Sequence, residues 1–271
     1  KVGVKVIAID FIFSGSPERW IKQLGLMGKD ASRNYDQPFR QQINLGGVLL
    51  AGFRIGDGAS MNDFVLPSPD YLLALPDLDL TSHVGLANLR ADADGTVRRF
   101  ALAEAGEFAR KEGLPALSFA ALAAVRFTGQ ATTLSAWRFA QEEIIPELEI
   151  PIAYAGPPGT FRPVSFRKLL APDALSDPEV KALAGRVVVI GAGYAGMNDV
   201  HATPYSTSLG GANALMPGPE IQANIIETLL GGHFTRPVSA PTRLTVMLVV
   251  LIGLALVCVR LPPWRAVILL F

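Results

Sequence analysis

The sequence predicts an α/β fold: a mixed, largely parallel sheet flanked by helices, followed by transmembrane helices. Three observations lead there. Residues 187–190 are a continuous run of Val187, Val188, Val189 and Ile190 that ends at once in Gly191 and Gly193. Such a run reads as a strand buried on both faces, the usual case in a parallel sheet. Other short apolar runs alternate with helical periodicity along the chain, the pattern of α/β architecture. Near the end, residues 244–259 hold no charged side chain.

Taken in order, residues 5–13 (KVIAIDFIF) read as a buried strand with Asp10 near its C-terminal end. Asp10 has two readings: a carboxylate hydrogen-bonded to nearby backbone N–H groups, or a pocket ligand. Buried acids need partners, and strand ends in α/β sheets form crevices. Trp20, Ile21 and Leu24 lie at helical spacing. Residues 36–44 read as a short helix with Asp36 as its cap, broken by Gly46 and Gly47, and 48–53 as the next strand. Residues 83–89 are a strand candidate. Asp94-Gly95 then signals a hairpin into residues 96–102. An EF-hand loop centred on Gly95 needs acids where Arg90 and Ala101 stand, which excludes calcium of that type. Arg98 and Arg99 alternate across a strand, so only one can face inward; the pair reads as solvated.

Residues 114–127 predict a helix, from Leu117, Ala121, Leu122 and Val125, ended by Gly129. Residues 130–147 are weakly patterned, with Glu142 and Glu143 reading as a solvated face. Residues 150–154 read as a short strand, and 164–170 with 177–183 as helix before the 187–190 strand. Pro219 and Glu220 suit the first turn of a helix over Ile221, Ile225, Ile226, Leu229 and Leu230. Gly231-Gly232 stops it.

Composition excludes several function classes. The 271 residues carry 24 Lys+Arg and 24 Asp+Glu, so net charge is zero, and no basic run marks a nucleic-acid surface. The single cysteine, Cys258, lies in the apolar tail. His83, His201 and His233 show no metal spacing. No nucleophile elbow or Walker sequence occurs. Gly191, Gly193 and Gly196 do form a literal G-x-G-x-x-G after a strand, which on its own suggests a nucleotide-binding oxidoreductase. That chemistry needs a helix starting within the glycines and an acid at the end of a second strand. Pro204 follows too soon for such a helix, so the glycines read as a strand-to-loop turn at a pocket edge.

Residues 186–199 (RVVVIGAGYAGMND), the Thr203-Pro204 pair, MPGPEIQAN and the helix ending LLGGHFTRP resemble the CHASE type-two sensor domain. That family is the extracytoplasmic sensory module of bacterial cyclases and kinases. The Asp10 strand with Ser14 is similar to its "IGIDILFSE" element. Asn88, Asp92, Asp94, Gly95, Val97, Arg98 and Arg99 match its "N…D.DG.VRR" segment. Residues 152–161 match its "I.Y.GP.G.F" element through Phe161. Two departures stand out: Pro219 replaces a common valine and Gln222 a common histidine. If that histidine reads a ligand or a pH in relatives, this chain has lost that means.

The resemblance implies a sensor domain over residues 1–236, truncated at its start, and a juxtamembrane linker over 237–243. A transmembrane helix (244–259), a cytoplasmic hairpin (260–263) and the start of a second span (264–271) would follow. As a helix, residues 244–259 span about 24 Å, slightly short of a hydrocarbon core of about 30 Å, with Arg243 and Arg260 able to snorkel. Residues 1–240 would lie outside the cytoplasmic membrane. The output domain would be an adenylate or guanylate cyclase, or alternatively a histidine or Ser/Thr kinase, so no catalytic residue is expected here. The ligand pocket is expected at the strand ends, lined by Asp10, Gly191, Gly193, Asp199 and Asn224. The partners implied are a small-molecule or environmental ligand, membrane lipid and a second copy of the chain, with no cofactor, metal or nucleic acid.

Overall fold

The computed structural model describes residues 2–15, 21, 23–25, 35–133, 135–146, 148–193, 198–206, 214–235 and 238–260. The chain divides into two units, Lys1–Phe234 and Thr235–Phe271.

In the first unit the strands are β1 (Val6–Ile9), β2 (Val48–Arg54), β3 (Phe64–Val65), β4 (Val84–Leu86), β5 (Arg90–Ala91), β6 (Val97–Ala101), β7 (Trp137–Phe139), β8 (Glu142–Ile144), β9 (Glu149–Pro151), β10 (Val187–Ile190), β11 (Val200–His201) and β12 (Met216–Pro217). Its longer helices are α1 (Gln37–Asn44), α2 (Phe119–Thr128) and α3 (Gly218–Gly231). The main sheet runs β10-β1-β2, with β4 also on β2; these pairs are all parallel. Only the short β3 is antiparallel, against the end of β2. The sheet is therefore mixed and largely parallel, as the apolar runs imply.

Alternation along β2 sorts the core into two layers. Leu49 and Ala51 pack with α2 and α3 through Phe119, Leu122, Ile221 and Ile225. Val48 and Leu50 face the other way, onto Ile43 of α1 and Tyr71. Successive strand side chains point to opposite faces, so one strand serves both layers.

Several sequence expectations shift. β10 is not a central strand. Among the described residues it pairs only with β1, and its four side chains are half-buried; β1 and β2 hold the middle. The helix expected from residue 114 starts at Phe119. Leu86 N–H bonds Leu117 O at 2.9 Å and Ser118 N–H bonds Leu102 O at 2.7 Å, so 117–118 behave as strand. Ser118 then caps the helix by accepting from Ala121 N–H, and Gly129 ends it at φ 75°. Asp36 occupies the N-cap position of α1 without a capping hydrogen bond. Pro38 lacks one N–H a cap would bind, and the Asp36 carboxylate pairs with Arg40 at 2.9 Å. The weakly patterned stretch contains the β7–β8 hairpin, with Trp137 and Phe139 buried and the intervening Arg138 exposed. Residues 164–183 form two short helices, Phe166–Leu169 and Pro178–Lys181. Of the residues at helical spacing over 20–24, Ile21 is helical and buried, Leu24 lies in a turn and is exposed, and Trp20 lies outside the described residues.

The second unit contains helix α4, Ala240–Arg260. Val246, Leu248, Val250 and Ile252 are each more than half exposed. Among the described residues no helix is long and apolar enough to cross a membrane. Side chains of α4 are described over 240–256 and at Val259 and Arg260. The described residues thus do not carry the expected crossing, and the expected second span lies outside them.

Candidate functional site

Asp10 follows the last residue of β1, and its backbone N–H donates to Ile190 O of β10 at 2.7 Å. The two strands run parallel, so Asp10 and Gly191 emerge side by side at the carboxyl end of the sheet. This is where open α/β sheets form ligand crevices.

The start of α3 closes over that end. A Cβ on Gly191 would lie 2.7 Å from Pro219 Cβ and 3.5 Å from Asp10 Cβ. Only glycine lets the strand end pass so close beneath the helix. A Cβ on Gly218 would lie 2.6 Å from the carboxylate carbon of Asp199. Asp199 O accepts the Gly218 N–H at 3.0 Å, and β11 pairs with β12 directly before the helix. Asp10, Gly191, Asp199 and the first turn of α3 therefore share one end of the domain.

His201 joins them. It stands two residues from Asp199, on the same side of the strand. Its Nε2 lies 2.9 Å from Asp199 Oδ1. Burial raises the Asp10 carboxyl most, the nearby Asp199 charge raises it further, and His201 opposes both; the result is about 7. A carboxyl so placed exchanges its proton near neutrality, the condition that charge pairs in crevices create.

The other two expected residues sit differently. Gly193 is exposed, with open space around it. Asn224 is fully buried. Its Oδ1 accepts from Ala155 N–H at 2.9 Å, and its Nδ2 donates to Glu220 O at 2.9 Å. Its polar atoms are thus engaged by protein. Gly196 lies outside the described residues. Among the described residues after Gly193, no helix begins before Gly218, so none starts at the glycine turn as a pyrophosphate site requires.

A second polar cluster escaped the sequence reading. Glu104 is buried, and its Oε2 accepts from Arg90 Nε at 3.1 Å and Nη2 at 3.0 Å. Arg54 approaches the same oxygen at 3.9 Å. Arg90 and Arg99 also pair with Glu149. Burial raises the Glu104 carboxyl above its usual range, and Arg90 then Arg54 pull it back. Asn88 anchors this corner by bonding both Arg54 N–H and Arg54 O at 2.8 Å. An open cleft of about 160 Å³ adjoins it, lined partly by Arg90, Arg99 and Glu149. Arg90 and Arg99 pair with the two carboxylates here, while the buried Arg54 Nε has no hydrogen-bond partner among the described residues, and the cluster reads as a brace for the β5–β6–β9 sheet. Its sole sequence signal was the acid in an otherwise apolar stretch at 100–105. The Arg98–Arg99 pair is ion-paired: Arg98 to Asp92 and Asp94, Arg99 to Glu149.

Against known protein families, the CHASE2 domain model matches residues 1–259. The chain belongs to the CHASE2 domain family. CHASE2 domains are extracellular sensor domains of signalling receptors and are not catalytic. No curated protein and no solved structure matches the chain. In this CHASE2 domain the "MPGPEIQAN" motif is β12 and the first turns of α3, the segment that packs on Asp199 and Gly191. Gln222, where the motif commonly has histidine, is buried and donates to Ala87 O at 3.3 Å. The position therefore faces the interior rather than the Asp10 crevice.

Proposed function

We propose that the chain is the extracytoplasmic ligand-sensing part of a bacterial transmembrane receptor, with its sensory site at the Asp10–Gly191–Asp199 end of the sheet. The CHASE2 match over residues 1–259 is the observation that carries the reading. The signal passes through membrane helices to a cytoplasmic nucleotide cyclase, with a histidine or Ser/Thr kinase as the alternative output. The ligand is a small molecule or an environmental cue.

Two features support the membrane part. α4 exposes apolar side chains all round and has no polar stripe over 246–256. Helices apolar on every side belong in a core or a bilayer. In sequence the apolar run continues through Val259, so it reaches roughly the length a bilayer needs once its flanks are counted. In sequence, Arg260 and Arg265 bracket the short segment between the proposed spans, and short Lys/Arg-bearing loops stay on the cytoplasmic side by the positive-inside tendency. Residues 1–240 then lie outside.

Alkaline phosphatase is active only after export. Expressed behind an N-terminal membrane anchor, a fusion at Pro237 is expected to be active and one at Pro263 inactive. The reverse pattern would place the sensor in the cytoplasm and overturn the receptor reading.

A further inference from the structure

We infer that residues 198–201 form a proton-controlled latch on the first turn of α3, docked while Asp10 is protonated and loosened when Asp10 and Asp199 are both ionised. This rests on the sensory reading of the site and adds how that site is regulated.

Three contacts dock the latch. Gly218 N–H donates to Asp199 O at 3.0 Å. Val200 and His201 pair with Pro217 and Met216. The Asp199 carboxylate occupies the space that a Cβ on Gly218 would need. Beyond the latch the chain is fixed to another part of the fold. Ala202 O accepts Val97 N–H at 2.9 Å, and Thr203 N–H donates to Ser206 Oγ at 3.0 Å. Asp10 is fixed too, through its N–H on Ile190 O. Residues 198–201 are therefore the part free to yield.

The charges around Asp10 set the direction. Among the described residues, Asp199 and His201 are the charged groups that act on it. Neighbouring β10 and β2 offer Ile190, Gly191 and Leu50, which do not titrate. On α3, the Glu220 carboxylate is engaged by Gly159 and Phe161 N–H groups. With Asp10 neutral, Asp199 is the sole anion and keeps its His201 contact. Ionising Asp10, whose carboxyl burial and Asp199 hold at about 7, sets two like charges in one partly buried space. Like-charged carboxylates so placed repel. Asp199, nearly half exposed, is the one able to move. The α3 helix is the last helix of the first unit, and the chain continues from it towards α4.

The Gly218 amide reports the latch directly, because it lies between Pro217 and Pro219, which have no N–H. The test is hydrogen exchange of this amide in the full chain reconstituted in phospholipid vesicles, corrected for intrinsic rate. Its protection is expected to fall roughly tenfold between pH 6 and pH 8, one unit of coupled titration. In Asp10→Asn, with folding confirmed by circular dichroism, protection is expected to stay high at both pH values. Asp199→Asn is expected to remove the pH dependence too, while Asp77→Asn keeps it, because Asp77 follows Pro76, which packs on Gly46 at the opposite, amino end of the sheet. No fall in the wild type, or the same fall in Asp10→Asn, would overturn the latch. Neither result bears on topology, which the phosphatase fusions decide on their own.

Discussion

The Glu220 carboxylate accepts the backbone N–H of Gly159 through both oxygens, at 2.8 and 3.0 Å. It also accepts from Phe161 N–H at 3.2 Å. One turn on, Asn224 holds Ala155 N–H, and a further turn on, Thr228 Oγ1 accepts from Ala153 N–H at 3.0 Å. Spacing of four residues puts all three on one helix face. This polar ladder clamps the 153–161 segment, which has no strand partner among the described residues once Ile152 N–H has bonded Arg98 O at 2.8 Å. The glycine-and-proline turn of "I.Y.GP.G.F" and the helix of "MPGPEIQAN" are thus two halves of one contact.

Breaking the clamp should lower stability. Asn224 is fully buried and bonds both Ala155 N–H and Glu220 O, so Asn224→Ala loses both bonds at a buried site, at about 1–3 kcal/mol. Glu220→Ala should cost less, because Glu220 is only half-buried and Gly159 is exposed to water. The double variant should deviate from additivity, since both residues hold one segment. Urea denaturation of the three variants checks this; an Asn224→Ala midpoint equal to wild type would refute the ladder.

Gly85 of β4 lies against α2. A Cβ there would sit 2.6 Å from the Phe119 Cα, a backbone atom that cannot swing aside. Gly85→Ala is expected to cost at least 1–3 kcal/mol, as overpacking does, lowering Tm by roughly 2–4 °C for each kcal/mol in a unit of this size. Differential scanning calorimetry reads it directly, and an unchanged Tm would mean that α2 packs further from the sheet.

Glu104→Leu removes the buried partner that Arg90 and Arg54 share, while Arg90, 42% exposed, keeps Glu149. Breaking a fully buried pair typically costs about 3–5 kcal/mol, and this half-exposed one should cost less, about 1–3 kcal/mol. Adding Arg90→Leu should recover part of the loss. A double variant no better than the single would show that the pair is not energetically coupled.

Two groups give opposite pH dependence. His83 is buried, its Nδ1 3.0 Å from Asp79 O, and burial lowers its pKa below 6.5. The unfolded chain then binds the extra proton first, so stability falls as pH drops below about 6.5. Asp10 is raised from 3.8 to about 7. The folded chain holds the proton through that window, so its contribution falls as pH rises from about 4 to about 7. Asp10→Asn should match wild type near pH 4 and exceed it in Tm by a few degrees at pH 8. His83→Gln should flatten the acid-side loss. Tm measured from pH 4 to pH 8 tests both, and parallel curves for Asp10→Asn and wild type would refute the Asp10 assignment.

Local sequence determined much of the fold. The run at 187–190 is a strand and ends at Gly191; the periodic residues 221–230 are a helix buried through Ile221, Ile225 and Leu229; Asp94-Gly95 makes a turn, with Gly95 at φ 79°. These depend on steric preference and apolar periodicity within a few residues, which the sequence carries by itself. Asp10 and Asp199 were also legible as candidates, because an acid beside a strand end is conspicuous. What only the tertiary structure decided is which groups meet. β10 is an edge because no other described strand pairs beside it, and strand order is not written in any strand. His201 joins Asp10 across a chain separation of nearly the whole domain. Asn224 looked like a pocket residue one turn into α3, yet helix rotation turns its amide onto Ala155. Glu104 finds Arg90 and Arg54 through hairpins whose register is set by packing. Long-range pairing of charges depends on burial and distance, and both exist only once the chain has folded.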